Sequence, residues 1–135
     1  MGLFDFFKKK EKKTITNSIG TFQLMRGSDY HGLIDSKVGA HSGQIELILP
    51  VENEVISDYQ IEYFKKIRSN WHSISQQLSE KVSNVDVEKC EIDIMIIPDK
   101  GHKGYDFDAK IVVVADENLF ELILKDLTID KMEVM

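Results

Sequence analysis

Residues 57–83 read SDYQIEYFKKIRSNWHSISQQLSEKVS. Ser57 followed three residues later by Gln60 is a capping box: the hydroxyl accepts from the Gln60 N–H, and the Gln60 side chain reaches back to the Ser57 N–H. Ile56 and Ile61 flank the cap as a hydrophobic staple, and Asp58 sits where the helix dipole favours an anion. From there Ile61, Phe64, Ile67, Trp71, Ile74, Leu78 and Val82 recur at steps of three or four and make one apolar stripe. Lys65, Lys66, Arg68, Asn70, His72, Ser73, Gln76, Gln77 and Glu80 occupy the other side. The spacing predicts one amphipathic helix from Ser57 to about Ser83, ~40 Å long at 1.5 Å per residue. That is long for 135 residues. Such a helix overhangs its sheet, bends near Ser69-Asn70 or pairs with a second copy.

On either side of the helix the apolar period changes to two, the period of strands. Before it, Phe22 and Leu24 alternate with Gln23 and Met25, and Gly27, Ser28 and Asp29 supply turn chemistry. Tyr30 to Val38 reads as a partner strand that Gly32 weakens. Gly39, Ser42 and Gly43 mark another turn. In Gln44 to Val51, Ile45, Leu47, Leu49 and Val51 share a face opposite Gln44, Glu46 and Ile48. After the helix, Cys90, Ile92, Ile94 and Ile96 alternate with Glu91, Asp93 and Met95 until Pro98. A loop over Asp99 to Gly104 leads to Tyr105–Ala115, where Phe107, Ala109, Ile111 and Val113 share a face. Asp116, Glu117 and Asn118 form a turn. Leu119 to Leu127 fits a helix or a strand, and a hairpin with the preceding strand favours the strand. Ile129 to Val134 adds a short last one. With no regular alternation of strand and helix, a doubly wound parallel sheet is excluded. The expected class is α+β: a mainly antiparallel sheet of about six strands (β-β-β-α-β-β-β) with the long helix packed on one face. The second face carries Ile48, Met95, Val112 and Val114 and is open to the N-terminal aromatics or a partner.

Composition sets the outer bounds. The length fits one domain, residues 14–135, preceded by a basic, aromatic segment, 1–13. No apolar run approaches the roughly 20 residues that span a bilayer. A single cysteine, Cys90, forms no internal disulfide and reads as a buried, inert thiol. The net charge of −6 argues against a binder held by bulk attraction to phosphate. Its distribution is uneven: residues 1–13 carry a net +3, residues 14–83 a net −2 and residues 84–135 a net −7. The opening MGLFDFFKKKEKK has its apolar cluster before its lysines, the reverse of a secretory signal, and position 6 is Phe6 where myristoylation wants Ser or Thr. With no disulfide framework either, the cytosol is the default expectation.

No stretch spells out an enzyme. Asp99 to Gly104 has two glycines and two lysines but lacks the strand–loop–helix context and the Lys-Ser/Thr ending of a phosphate loop. Lys65, Lys66 and Arg68 lack interleaved aromatics, so a nucleic-acid surface is not indicated. Asp106 and Asp108 share a strand face, as solvated hairpin carboxylates do. His31, Asp35 and His41, with His102, are a conceivable zinc set, but their spacing matches no familiar site. The expectation is therefore no catalytic residue, no metal and no cofactor.

The run Ile19-Gly20-Thr21-Phe22, the Tyr30-His31-Gly32 strand, the Gln44-Ile45-Glu46-Leu47 strand and the helix through Phe64 and Trp71 resemble small bacterial α+β domains of the toxin-immunity type. The resemblance spans about residues 19–80. It implies a non-enzymatic partner of a cognate toxin and carries over no catalytic residue. An acidic surface that covers a basic active site fits the charge pattern and speeds association. The expected contacts are Glu91, Asp93, Asp99, Asp106, Asp108, Asp116 and Glu117. The alternatives are a self-associating or membrane-peripheral module using Phe4, Phe6, Phe7 and Lys8 to Lys10, with a homodimer open, and a metal protein using His31, His41 and His102.

Overall fold

The computed structural model describes residues 13–25, 28–35, 43–82, 90–115 and 117–135. The expectations placed on residues 1–12, on His41 and on Asp116 lie outside these. The strands are β1 (Thr14–Asn17), β2 (Gly20–Leu24), β3 (Asp29–Asp35), β4 (Gln44–Pro50), β5 (Glu91–Ile96), β6 (Ala109–Ala115), β7 (Asn118–Lys125) and β8 (Thr128–Val134). The helices are α1 (Asp58–Ser69) and α2 (Trp71–Lys81), both between β4 and β5. All these strands lie in one eight-stranded sheet, in chain order from β1 to β8. β1–β4 and β5–β8 are two antiparallel meanders. They join through a parallel pair, β4 beside β5, with Leu47 level with Met95. Parallel neighbours need a crossover connection, and α1 with α2 is that crossover.

The expected six-strand sheet with one long helix is thus corrected to an eight-strand mixed sheet with two short helices. The helix breaks at Asn70, whose φ of −107° and ψ of 13° leave the helical region. Its N–H donates to the carbonyls of Lys66 and Ile67, and its Nδ2 donates to Lys66 at 2.7 Å. The Lys66 carbonyl thus accepts from both the backbone and the side chain of Asn70, which holds that side chain back on its own helix. α2 restarts at once, with the Ile74 N–H on the Asn70 carbonyl. The strand beyond those expected is β1, and the expected short last strand over Ile129 to Val134 is β8. β1 has only four residues and turns into β2 through Ser18-Ile19, where Asn17 Oδ1 accepts from the Ile19 N–H at 3.0 Å.

The capping box is present as expected. The stripe it opens is wider than its apolar residues: Gln60, Tyr63, Phe64 and Ile67 are buried on α1, Ile74 and Leu78 on α2. All but Gln60 join Phe22, Tyr30, Ile34, Ile45, Leu47, Leu49, Met95, Ile111, Val113, Phe120, Leu122 and Leu124 in one cluster. Truncating a ring as enclosed as Phe64 costs about 3–5 kcal/mol.

β5 departs from simple alternation. A bulge between Ile92 and Ile94 places Asp93 outside the ladder. Such a bulge puts two residues opposite one and shifts the phase of the rest of the strand. Met95, expected on the second face, is fully buried in the core, while Ile94 and Ile96 turn to the far side. The far face carries Ile48, Ile94, Ile96, Val112, Val114 and Ile123, half-buried, beside the pairs His31–Glu46 at 3.1 Å and Lys110–Glu121 at 3.3 Å. β3 runs to Asp35, and the rest of its expected course to Val38 lies outside the described residues. β6 starts at Ala109 rather than Tyr105. The ambiguous stretch after Asn118 is a strand. Among the described residues no helix is long and apolar enough to cross a membrane.

Candidate functional site

The parallel pair gives the sheet two chemically distinct ends. At one end β4 runs out through Pro50 into the cap of α1, and β5 runs out through Ile97 and Pro98. Gln60 ties these together. It is fully buried, its Nε2 donates to the carbonyls of Pro50 and Ile97 at 2.9 Å each, and its Oε1 accepts from the Ser57 N–H at 3.1 Å. Both amide protons and the amide oxygen are used locally, which lets a polar side chain stay in the core.

The β5–β6 loop, residues 97–108, hangs from this anchor. The Asp99 N–H donates to the Pro50 carbonyl at 3.0 Å. Asp99 Oδ1 accepts from the Ser57 hydroxyl at 2.7 Å and from the Lys100 N–H at 2.8 Å. Gly101 turns the chain with a φ of 78°, a conformation that suits glycine. Gly104 donates its N–H to His102 Nδ1 at 3.1 Å, so the proton of the neutral ring sits on Nε2. The loop returns to the sheet where the Asp108 N–H meets the Leu124 carbonyl, and Asp108 Oδ2 accepts from the Asp126 N–H at 2.7 Å.

Between this loop and the first turn of α1 lies a cavity of about 210 Å³, lined by Tyr59, Asp99, His102, Tyr105, Asp106 and Asp108, among others. Phe107 belongs to the same wall. The rings form a chain of edge contacts: His102 to Tyr105 with centroids 5.0 Å apart, and Tyr105 to Phe107 at 5.5 Å. Lys110 Nζ stands 5.3 Å from the Phe107 ring centroid, so this ring already takes a cation on one face. Asp29 begins β3 opposite Pro50, and the Glu54 carbonyl accepts from the Tyr30 hydroxyl, so both acids lie at the same end. No ion pair among the described residues uses Asp29, Asp99, Asp106 or Asp108. The uncompensated charge is felt by the phenols. Burial, then the carboxylates of Asp108 and Asp99, hold Tyr59 above its ordinary value. Burial and Asp29 do the same for Tyr105.

The acidic candidates therefore do not form one patch. Asp99, Asp106 and Asp108 surround this cavity. Glu91 and Asp93, both exposed, belong to the opposite end of β5, about 26 Å and about 20 Å of extended chain from Asp99. Glu117 is exposed in the β6–β7 turn at that same far end. Sequence reasoning misses Tyr59, Tyr105 and Phe107 as site residues, because a helix surface absorbs the first and strand alternation the other two. The usable signal is the run Tyr105-Asp106-Phe107-Asp108, aromatic and acid in alternation.

Of the three histidines of the metal alternative, the two that are described, His31 and His102, stay apart. His31 is on β3 with Glu46, and His102 is in the β5–β6 loop on the Gly104 N–H. Among the described residues no group of three or more His, Cys, Asp and Glu side chains is placed to hold one ion. Ser57 donates to Asp99 with no imidazole between them, so this pair is a cap and not an activated nucleophile. The arrangement is suited to a cation: carboxylates to attract it and ring faces to receive it. Comparison with family models, with curated proteins and with solved structures finds no match.

Proposed function

We propose that this chain is a non-enzymatic protein-binding domain that captures a basic partner segment at the end of its sheet where α1 begins. The observation that carries the reading is the cavity in which Asp99, Asp106 and Asp108, with no cationic partner among the described residues, surround the rings of Tyr59, Tyr105 and Phe107. A lysine or arginine side chain matches that lining in charge, in size and in its preference for aromatic faces. The carboxylates of Asp29 and Asp126 extend the attraction beyond the cavity and favour rapid encounter. A bacterial immunity protein that covers a basic toxin surface is the specific form of this reading, and the resemblance over residues 19–80 supports it. Co-expression with the product of the adjoining gene tests that form: protection of the host supports it, and killing at undiminished rate removes it. The proposed location is the cytoplasm, in keeping with a chain whose single cysteine forms no internal disulfide.

The general reading is tested with a peptide of alternating lysine and arginine by calorimetry. Binding is expected to weaken about tenfold between roughly 0.05 and 0.5 M salt. Tyr105→Ala is expected to weaken it by a similar factor through the lost ring face. Binding that ignores both salt and Tyr105 would contradict the proposal.

Self-association is a second reading, favoured by the aliphatic row Ile48, Ile94, Ile96, Val112, Val114 and Ile123 on the far face of the sheet. Sedimentation equilibrium decides it. A dimer that Val112→Lys dissociates supports the reading, and a monomer at all concentrations removes it.

A further inference from the structure

At the end of the sheet opposite the acidic cavity lies a second one, of about 270 Å³, lined by Ser18, Gly20, Asp35, Gln44 and Arg68 among others. Arg68 is in the last turn of α1, where a cation suits the helix dipole. Its setting goes beyond that role. The guanidinium lies over the Phe64 ring, 4.6 Å from the centroid. Its Nε is shut off from solvent and meets no hydrogen-bond acceptor among the described residues. Asp35 stands in the same wall, yet the two charges form no ion pair. A second shut-off donor, Asn17 Nδ2, belongs to the adjoining β1–β2 turn.

A planar guanidinium stacked on an aromatic face in a cavity wall, with no ion-pair partner among the described residues, is arranged for a two-oxygen acceptor, a carboxylate or a phosphate. Asp35 decides between them. Its charge repels a dianion and offers an acceptor to a ligand that carries a donor beside its own carboxylate. We infer that this cavity binds an α-amino acid unit, with its carboxylate on Arg68 and its nitrogen on Asp35. The hydroxyl of Ser18 and the amide of Gln44 complete a polar rim. The unit is either a free amino acid or the last residue of a peptide chain. The site is independent of the basic-segment reading, since neither Arg68 nor Asp35 belongs to the acidic cavity.

The arginine side chains report on it directly. The chain has two, Arg26 and Arg68, so the Nε–Hε region of a proton–nitrogen spectrum holds two signals. Arg26→Lys and Arg68→Lys each assign them, so one well-folded variant suffices. The full chain is titrated with alanine, with N-acetylalanine and with inorganic phosphate. The expected result is a saturable shift of the Arg68 signal with alanine or N-acetylalanine, and none with phosphate. Saturation by alanine alone identifies a free amino acid, and saturation by N-acetylalanine identifies a chain terminus. If alanine is the ligand, Asp35→Asn weakens it about tenfold through the lost ammonium contact, whereas N-acetylalanine changes by less than about twofold. An Arg68 signal that neither alanine nor N-acetylalanine saturates, or that phosphate saturates, overturns the inference.

Discussion

Gly32 sits mid-strand in β3, where a glycine ordinarily costs stability, but here the neighbours require it. A Cβ at this position would lie 2.6 Å from the Thr21 carbonyl oxygen and 2.7 Å from the Phe22 ring. Phe22 therefore uses the absence of a side chain as its seat. Gly32→Ala is expected to cost about 1–3 kcal/mol in denaturant unfolding, although alanine is otherwise the better strand residue. Gln60 presents the complementary case, a polar side chain that the core needs. Gln60→Leu keeps the volume but strands the Ile97 carbonyl and the Ser57 N–H and leaves the Pro50 carbonyl with the Asp99 N–H alone, and about 2–4 kcal/mol of stability is expected to go with them. Tyr63 sets a pH dependence. Burial pushes its phenol up to about 12, against the pull of the Leu127 N–H that its oxygen accepts and with a smaller upward push from Asp108. The fold keeps the neutral phenol, so this contribution is whole below pH 10, the ordinary value, and is lost as pH rises towards about 12. Unfolding free energy measured from pH 9 to about 12 should fall more steeply for the native chain than for Tyr63→Phe. Equal slopes would show that Tyr63 is not responsible.

At the scale of elements, periodicity located almost every strand and the start of the helix, because both signals come from adjacent residues. The features it left out depend on contacts that the apolar pattern does not encode. The stripe from Ile61 to Val82 keeps its three-and-four spacing across Asn70, so nothing in that pattern marks a break. The break is made by a polar side chain turning back on Lys66. The same holds for β5, whose Cys90-Ile92-Ile94-Ile96 alternation is unbroken in sequence and broken in space. Asp93 is the extra residue, since Ile92 and Ile94 oppose the consecutive pair Val113 and Val112. Deleting Asp93 is therefore expected to leave Ile92 and Met95 inside and the meander β5–β8 intact. An unfolding slope against denaturant equal to that of the native chain would verify this, and a chain that no longer unfolds cooperatively would refute it.

For the whole molecule, the charge sum of −6 was legible from the start, and so was its concentration after Ser83. Its division between two ends of the sheet was not, because Glu91 and Asp99 are close in sequence and separated by the full length of β5. Asp99, Asp106 and Asp108 gather at the cavity that holds Tyr59, Tyr105 and Phe107, and Glu91, Asp93 and Glu117 at the far end. This division supplies the most direct test of the basic-segment proposal. Two triple variants remove the same charge: Asp99→Asn, Asp106→Asn and Asp108→Asn in one, and Glu91→Gln, Asp93→Asn and Glu117→Gln in the other. Asparagine preserves the acceptors that Ser57 and the Asp126 N–H use, so the loop keeps its anchors. The measurement is the affinity of each variant for the lysine–arginine peptide at low salt. The proposal predicts that the first variant loses at least about a hundredfold in affinity, the scale of two or more charge-assisted contacts, while the second stays within about threefold of the native chain. Equal losses in the two variants, or a larger loss in the second, would contradict it.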